Sequence, residues 1–163
     1  MNQELLDKLK VISPEEEQIL AGETEVQKSI YTAADDFIVD GSQMLDAGKL
    51  IDIRPHTRFV HFPRHKHNYI EIIYMCSGTT THIINDTTKV TLDTGDLLFL
   101  NQNATQEILP AGKEDIAVNF IVLPEFFVTF SLSKSSWFIV SLPLSAYMLL
   151  PFYHFRHSKS KKL

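Results

Sequence analysis

The sequence predicts a mainly β protein, a small antiparallel sandwich or barrel with helices before it and an apolar tail after it. Two observations predict the sheet. From Leu50 onward, short runs rich in β-branched and aromatic residues alternate with polar breaks. Turn signals at Ser77-Gly78, Asn85-Asp86, Thr94-Gly95 and Ala111-Gly112 fall at the breaks, spaced for short strands that close on one another and so remove exposed edges. A third observation predicts the helices: Leu5, Leu6, Leu9 and Ile12 recur at helical spacing.

A second helix is announced by Ser13-Pro14-Glu15-Glu16. Serine can cap free amides, proline suits the first turn, and Glu16 stands where a capping box needs it; the helix should stop near Gly22. Residues 23–48 show no clear period and read as connecting structure around Phe37, Ile38 and Val39. The predicted strands are Leu50 to Ile53, Arg58 to Phe62, Tyr69 to Cys76, Thr79 to Ile84, Lys89 to Leu92, Asp96 to Leu100, Thr105 to Leu109 and Ile116 to Leu123. Three regions follow: a helical arm and connector over 1–48, a barrel over 49–125, and an atypical tail over 126–163.

At 163 residues, 44 % hydrophobic and 21 % charged, the chain supports one globular domain. The N-terminus MNQELLDKLK carries no apolar signal, and Cys76, the single cysteine, reads as a buried thiol, so the cytoplasm is expected. All 20 acidic residues but only 10 of the 15 basic ones lie within 1–125, which therefore carries −10, against +5 for 126–163. An acidic body disfavours a phosphate backbone as partner. The basic end at Lys159, Lys161 and Lys162 reads as solvated. Ser135 to Phe155 has the length of a membrane span, yet Pro143, Pro151, four serines and a histidine interrupt it, so a membrane anchor is not expected.

The densest chemistry is HKHNYIE, residues 65–71. In a strand, side chains two apart share a face, so His65, His67, Tyr69 and Glu71 point one way and Lys66, Asn68 and Ile70 the other. Two imidazoles and a carboxylate are a ligand set for iron, zinc, manganese or nickel, and equally good partners for hydroxyls. Arg54, His56, Arg58 and His61 alternate along the approach to the motif and read as a solvated face, with an extension of the ligand-facing row as the alternative; Arg64 and Lys66 read as solvent-facing and His82 as a satisfied, half-buried histidine.

His65-x-His67-x3-Glu71-x6-Gly78 resembles the first motif of the cupin superfamily, and GDLLFLNQNATQEI, opened by Gly95-Asp96, resembles the second. Within that superfamily, SPEEEQILAG, IDIRPHTRFVHFPRHKHNYIEIIYMCSGTTTHIIN, GDLLFLNQN and EILPAGKEDIAVNFIVLPEFF resemble the N-terminal sensor domain of AraC-type transcriptional regulators, over Glu4 to Phe127. The resemblance implies a double-stranded β-helix (jelly-roll) barrel that reads a small polar molecule, often a sugar, and forms a homodimer. Its ligand contacts would come from His65, His67, Tyr69, Glu71 and Gln106. Two departures qualify it. Gln106 stands where the second motif has its metal-ligating histidine, so a divalent metal on His65, His67 and Glu71 becomes the alternative, with a metal-dependent isomerase or dioxygenase as the competing function. After Phe127 the chain leaves the family pattern, lacks acidic residues and ends at Leu163 before any helix-turn-helix output domain. The tail thus reads as a truncation or a shifted frame, with DNA contact only through a domain missing from this chain.

Overall fold

The computed structural model describes residues 2–33, 36–126 and 151–157. Its strands are β1 (Ile38–Val39), β2 (Ile51–Pro55), β3 (Phe62–His67), β4 (Ile70–Ser77), β5 (Thr79–Ile84), β6 (Thr88–Asp93), β7 (Leu97–Leu100), β8 (Gln106–Ile108), β9 (Ile116–Val122) and β10 (Phe152–Phe155). One sheet runs β1-β3-β8-β5-β6 and the other β10-β7-β4-β9-β2. Successive strands mostly cross from one sheet to the other, giving the cupin-like jelly-roll barrel that the sequence predicts. Thr79 to Ile84 is matched end to end, and most of the other predicted strands shift by one or two residues.

Two flanks contribute more than expected. β1, from the predicted connector, pairs in parallel with β3, and β10, from the predicted tail, pairs antiparallel with β7 through four residue pairs, Phe152 to Phe155 against Leu100 to Leu97. Most of the Ser135 to Phe155 stretch, the Lys159–Lys162 end and the departure after Phe127 lie outside the described residues. Among the described residues no helix is long and apolar enough to cross a membrane.

The predicted strand Arg58 to Phe62 does not form. Phe59 takes a left-handed backbone, φ +70°, which a strand cannot accommodate, and β3 begins only at Phe62. Pairing with β8 then shifts register between Phe62, opposite Ile108, and His65, opposite Gln106. Phe62 and His65 are an odd number of positions apart and would face opposite ways in a regular strand. The bulge at Pro63-Arg64 turns both inward, Phe62 and His65 being buried while Arg64 is exposed.

Inward positions of β4 grade from polar to apolar. Glu71 lies at one end, and Ile73 and Met75 continue into a cluster with Ile84, Leu92, Leu98, Leu100 and Ala117. Fully burying each such aliphatic side chain contributes about 1.5–3 kcal/mol. A second cluster, with Val39, Met44, Phe62, Tyr69, Ile108 and Ile121, surrounds the Glu71 end. Gly78 is required where β4 passes into β5: its φ is +73°, and a Cβ there would overlap the Asp115 side chain, whose carboxylate accepts from Thr79 N–H (2.8 Å) and Gly112 N–H (2.8 Å). Cys76 is buried, as expected.

The N-terminal arm holds two helices, α1 (Gln3–Leu9), capped by Asn2, and α2 (Pro14–Leu20), which carries the predicted capping box between Ser13 and Glu16. Leu6 and Leu9 of α1 pack on Cys76, Ile116 and Val118. Glu16 does more than cap. Arg58 Nε donates to its Oε1 (2.7 Å) and Nη2 to its Oε2 (2.8 Å), with both side chains buried. Arg58 is thus buried rather than solvated, its remaining donors meeting the carbonyls of Lys113 (3.0 Å), Val11 (3.3 Å) and Lys10 (3.4 Å). Removing one member of a buried pair leaves the other uncompensated. Arg58→Ala is expected to destabilise the fold by about 3–5 kcal/mol in denaturant melts, whereas Lys8→Ala, which breaks an exposed pair with Glu4, leaves the midpoint unchanged within error.

Candidate functional site

HKHNYIE does not lie on one strand. His65 and His67 end β3 in one sheet, Asn68 and Tyr69 bend the chain, and Glu71 opens β4 in the other sheet. Asn68 fixes the corner by accepting from Gly41 N–H (2.8 Å) and donating to Asp40 (2.9 Å). His65, His67, Tyr69 and Glu71 nevertheless all point inward, each 4 % exposed or less, while Lys66 and Asn68 face solvent, as does Arg64, ion-paired with Asp86.

These four inward residues line a cavity of about 370 Å³ inside the barrel, a volume suited to a small molecule. Its apolar lining includes Val39, Met44, Phe62, Ile108 and Ile121. Ser13, Pro14, Glu15 and Glu16 of the arm supply part of the wall, and Tyr31 donates to Glu15 (2.6 Å) across it. Gln106 is fully buried but does not line the cavity; its Nε2 donates to His82 Nδ1 (2.8 Å), and His82 Nε2 meets Thr80 Oγ1 (2.9 Å). His82 is satisfied as expected but wholly buried rather than half-buried, because it lies between the sheets.

Three lining residues were missed or misread in the sequence. His56, expected in solvent, is 3 % exposed and faces the cavity. Its Nδ1 is bonded to Asn119 Oδ1 (3.1 Å), and Asn119 Nδ2 donates to Glu71 Oε1 (3.0 Å). Asn119 thereby joins β9 to both groups; its one signal was a lone amide within the apolar run IAVNFIV. Arg54 also reaches the cavity, but it donates through Nε (3.0 Å) and Nη2 (2.6 Å) to the Met44 carbonyl; His61 stays exposed and meets Glu107.

Burial governs the charge states. It holds His65 down to about 4, with the Pro63 carbonyl and Gln106 opposing, and it holds His56, His67 and His82 below the ordinary imidazole range. It raises Glu71 to about 8, with the Asn119 hydrogen bond opposing, and lifts the Tyr69 hydroxyl further. The cavity is therefore lined at neutral pH by uncharged imidazoles and a protonated carboxyl. Four lining atoms, His56 Nε2, His67 Nδ1, Glu71 Oε2 and Glu15 Oε1, are buried without a hydrogen-bond partner.

A resident metal is a poor fit to this arrangement. His67 Nε2 and Glu71 Oε2 approach to 3.5 Å, but Gln106, at the fourth ligand position, spends its Nε2 on His82 and offers only an amide oxygen, a poor replacement for imidazole with iron or zinc. Among the described residues no three His, Cys, Asp or Glu side chains are grouped to hold a metal ion.

The fold and cavity define a ligand-binding barrel of the cupin type. The family described as AraC-like ligand binding domain matches residues 51–141, and the chain belongs to it. Similar solved structures include apo ToxT of Vibrio cholerae, 12 % identical over 67 % of this chain and 42 % of ToxT, with a TM-score of 0.45. A cupin protein from Bacteroides fragilis is 22 % identical over 45 % of this chain and 64 % of its own, at 0.37. The EutQ protein of Clostridium difficile is 22 % identical over 45 % and 55 %, at 0.36. The chain thus spans less than half the length of ToxT. Among curated protein sequences none matches.

The charge states set a pH dependence of stability. Folded Glu71 keeps its proton up to about 8, while the unfolded group releases it near 4.5, so Glu71 erodes stability as pH rises through that window. His65 refuses a proton that the unfolded chain takes up below 6.5, so stability also falls as pH drops from 6.5 towards 4. In thermal melts between pH 6.5 and 8, wild type is expected to lose about 2 kcal/mol that Glu71→Gln retains, and between pH 6.5 and 4.5 the Glu71 gain offsets the His65 loss in wild type, so that Glu71→Gln declines more steeply there.

Proposed function

We propose that this chain is the small-molecule-sensing and dimerisation module of an AraC-type transcriptional regulator, working in the cytoplasm. The observation that carries the reading is the cavity, whose lining residues include buried polar atoms without a partner. A buried polar group without a hydrogen bond costs about 1–3 kcal/mol, which a bound ligand would recover. The ligand is a small polar molecule, a sugar among the candidates, contacting His65, His67, Tyr69 and Glu71, with Gln106 holding the layer behind them.

The arm supplies part of the cavity wall, so a ligand touching Ser13 to Glu16 changes the balance between arm positions. In a homodimer that change alters how two output domains lie on their half-sites, and DNA is reached only through such domains. Ligand-observed NMR with a library of sugars and neutral metabolites tests the reading. Saturable binding is expected to survive chelator treatment and to vanish in Ile121→Trp, which fills the cavity. Binding that disappears with the chelator would instead support a metal-dependent cupin enzyme.

A further inference from the structure

We propose that the ligand is an uncharged amphipathic molecule, with an alcohol or carboxamide end between His56 and Glu71 and an apolar body against Val39, Met44, Ile108 and Ile121. This specifies the ligand of the cavity and rests on the ligand-binding reading above.

The argument begins at Asn119. Its Nδ2 is spent on Glu71 Oε1, and its Oδ1 can only accept, so the Nδ1 of His56 must be the donor in their 3.1 Å contact. A buried, neutral imidazole that carries its proton on Nδ1 has a bare lone pair on Nε2. That atom is buried without a partner in a residue that lines the cavity. It can be satisfied only by a ligand N–H or O–H. Glu71 Oε2, the second unpartnered atom on the same hydrogen-bonded chain, can accept in either protonation state and donate when neutral. The pair therefore calls for an end group that donates and also tolerates a donor, which describes an alcohol or a carboxamide.

Other end groups meet obstacles on the page. A carboxylate or phosphate offers no hydrogen to His56 at neutral pH, and Arg54, the guanidinium of the lining, is turned onto the Met44 carbonyl. An ammonium would bring a charge among groups held neutral by burial. A free sugar carries hydroxyls on every face, and those facing the aliphatic wall would have no acceptor.

Isothermal titration of the full chain with octanol, octanamide, octanoate, octylammonium and xylose tests this, in wild type, His56→Phe and Ile121→Trp. Octanol and octanamide are expected to bind saturably and at least tenfold more tightly than the other three. His56→Phe should erase that preference, and Ile121→Trp should abolish binding. Octanoate, octylammonium or xylose binding wild type as tightly, yet lost in Ile121→Trp, would overturn the ligand class and leave the binding site standing. No saturable binding by any probe would overturn both. The wild-type ranking decides between these outcomes even if His56→Phe fails to fold.

Discussion

The carboxylate of Glu16 is the constraint from which the binding end of the barrel is built. It accepts from Ser13 N–H (2.9 Å), Arg58 N–H (3.1 Å) and the Arg58 guanidinium at two points. Burial alone would raise its pKa, but these donors hold it below the ordinary carboxylate range. One group thereby starts α2, pins the loop before β3 and fixes the arm against the cavity. Exchange for an apolar pair of similar volume can match a buried ion pair in stability. What an apolar pair lacks is direction: the bidentate fork sets where α2 sits, and the neighbouring Glu15 reaches the cavity only in that placement.

From that fixed rim inward, charge gives way to neutral dipoles. Exposed pairs such as Lys10 with Glu114 stand in water, where screening makes them weak. Behind the rim, burial removes the charge from every imidazole and from Glu71, and Asn119 links strands of one sheet to the end of β2 through hydrogen bonds of assigned direction. Under the proposed function, a site of this kind would recognise its ligand chiefly through donor and acceptor order. Of the two histidines that looked like metal ligands, His65 is held by the Pro63 carbonyl (2.7 Å), while His67 Nδ1 is buried without a partner, and Gln106 gives its Nε2 to His82.

Much of this was legible where the cause is local. The Ser13–Glu16 box needs only neighbours, and the inward side of Thr79–Ile84 follows from alternation. The shared face of His65, His67, Tyr69 and Glu71 was readable too, although its route through two sheets was not. Arg58 and His56 were misread because their partners, Glu16 and Asn119, are 42 and 63 positions away. A polar residue beside a turn looks solvated until its distant partner is known. The inward placement of Phe62 together with His65 depends on a bulge at Pro63-Arg64, which alternation cannot reveal.

β10 carries the same lesson to the other flank. The tail's apolar composition suggested a departure from the barrel, yet Phe152–Phe155 lies along β7 as an edge strand of the five-stranded sheet that contains β4. The anchor is Asp96, whose carboxylate closes its own turn by accepting from Asp93 N–H (3.0 Å) and also accepts from His157 N–H (2.8 Å), with His154 Nε2 at 3.1 Å. Gly95, at φ +96°, leaves the room: a Cβ there would stand 3.0 Å from His157. A turn that any jelly roll needs thus holds a segment 61 positions away. Hydropathy could not have located that contact, because it depends on one buried carboxylate and a missing side chain rather than on the apolar character of the segment it binds. With β10 in place, the β7 edge is paired instead of open, which removes a site for unintended strand addition.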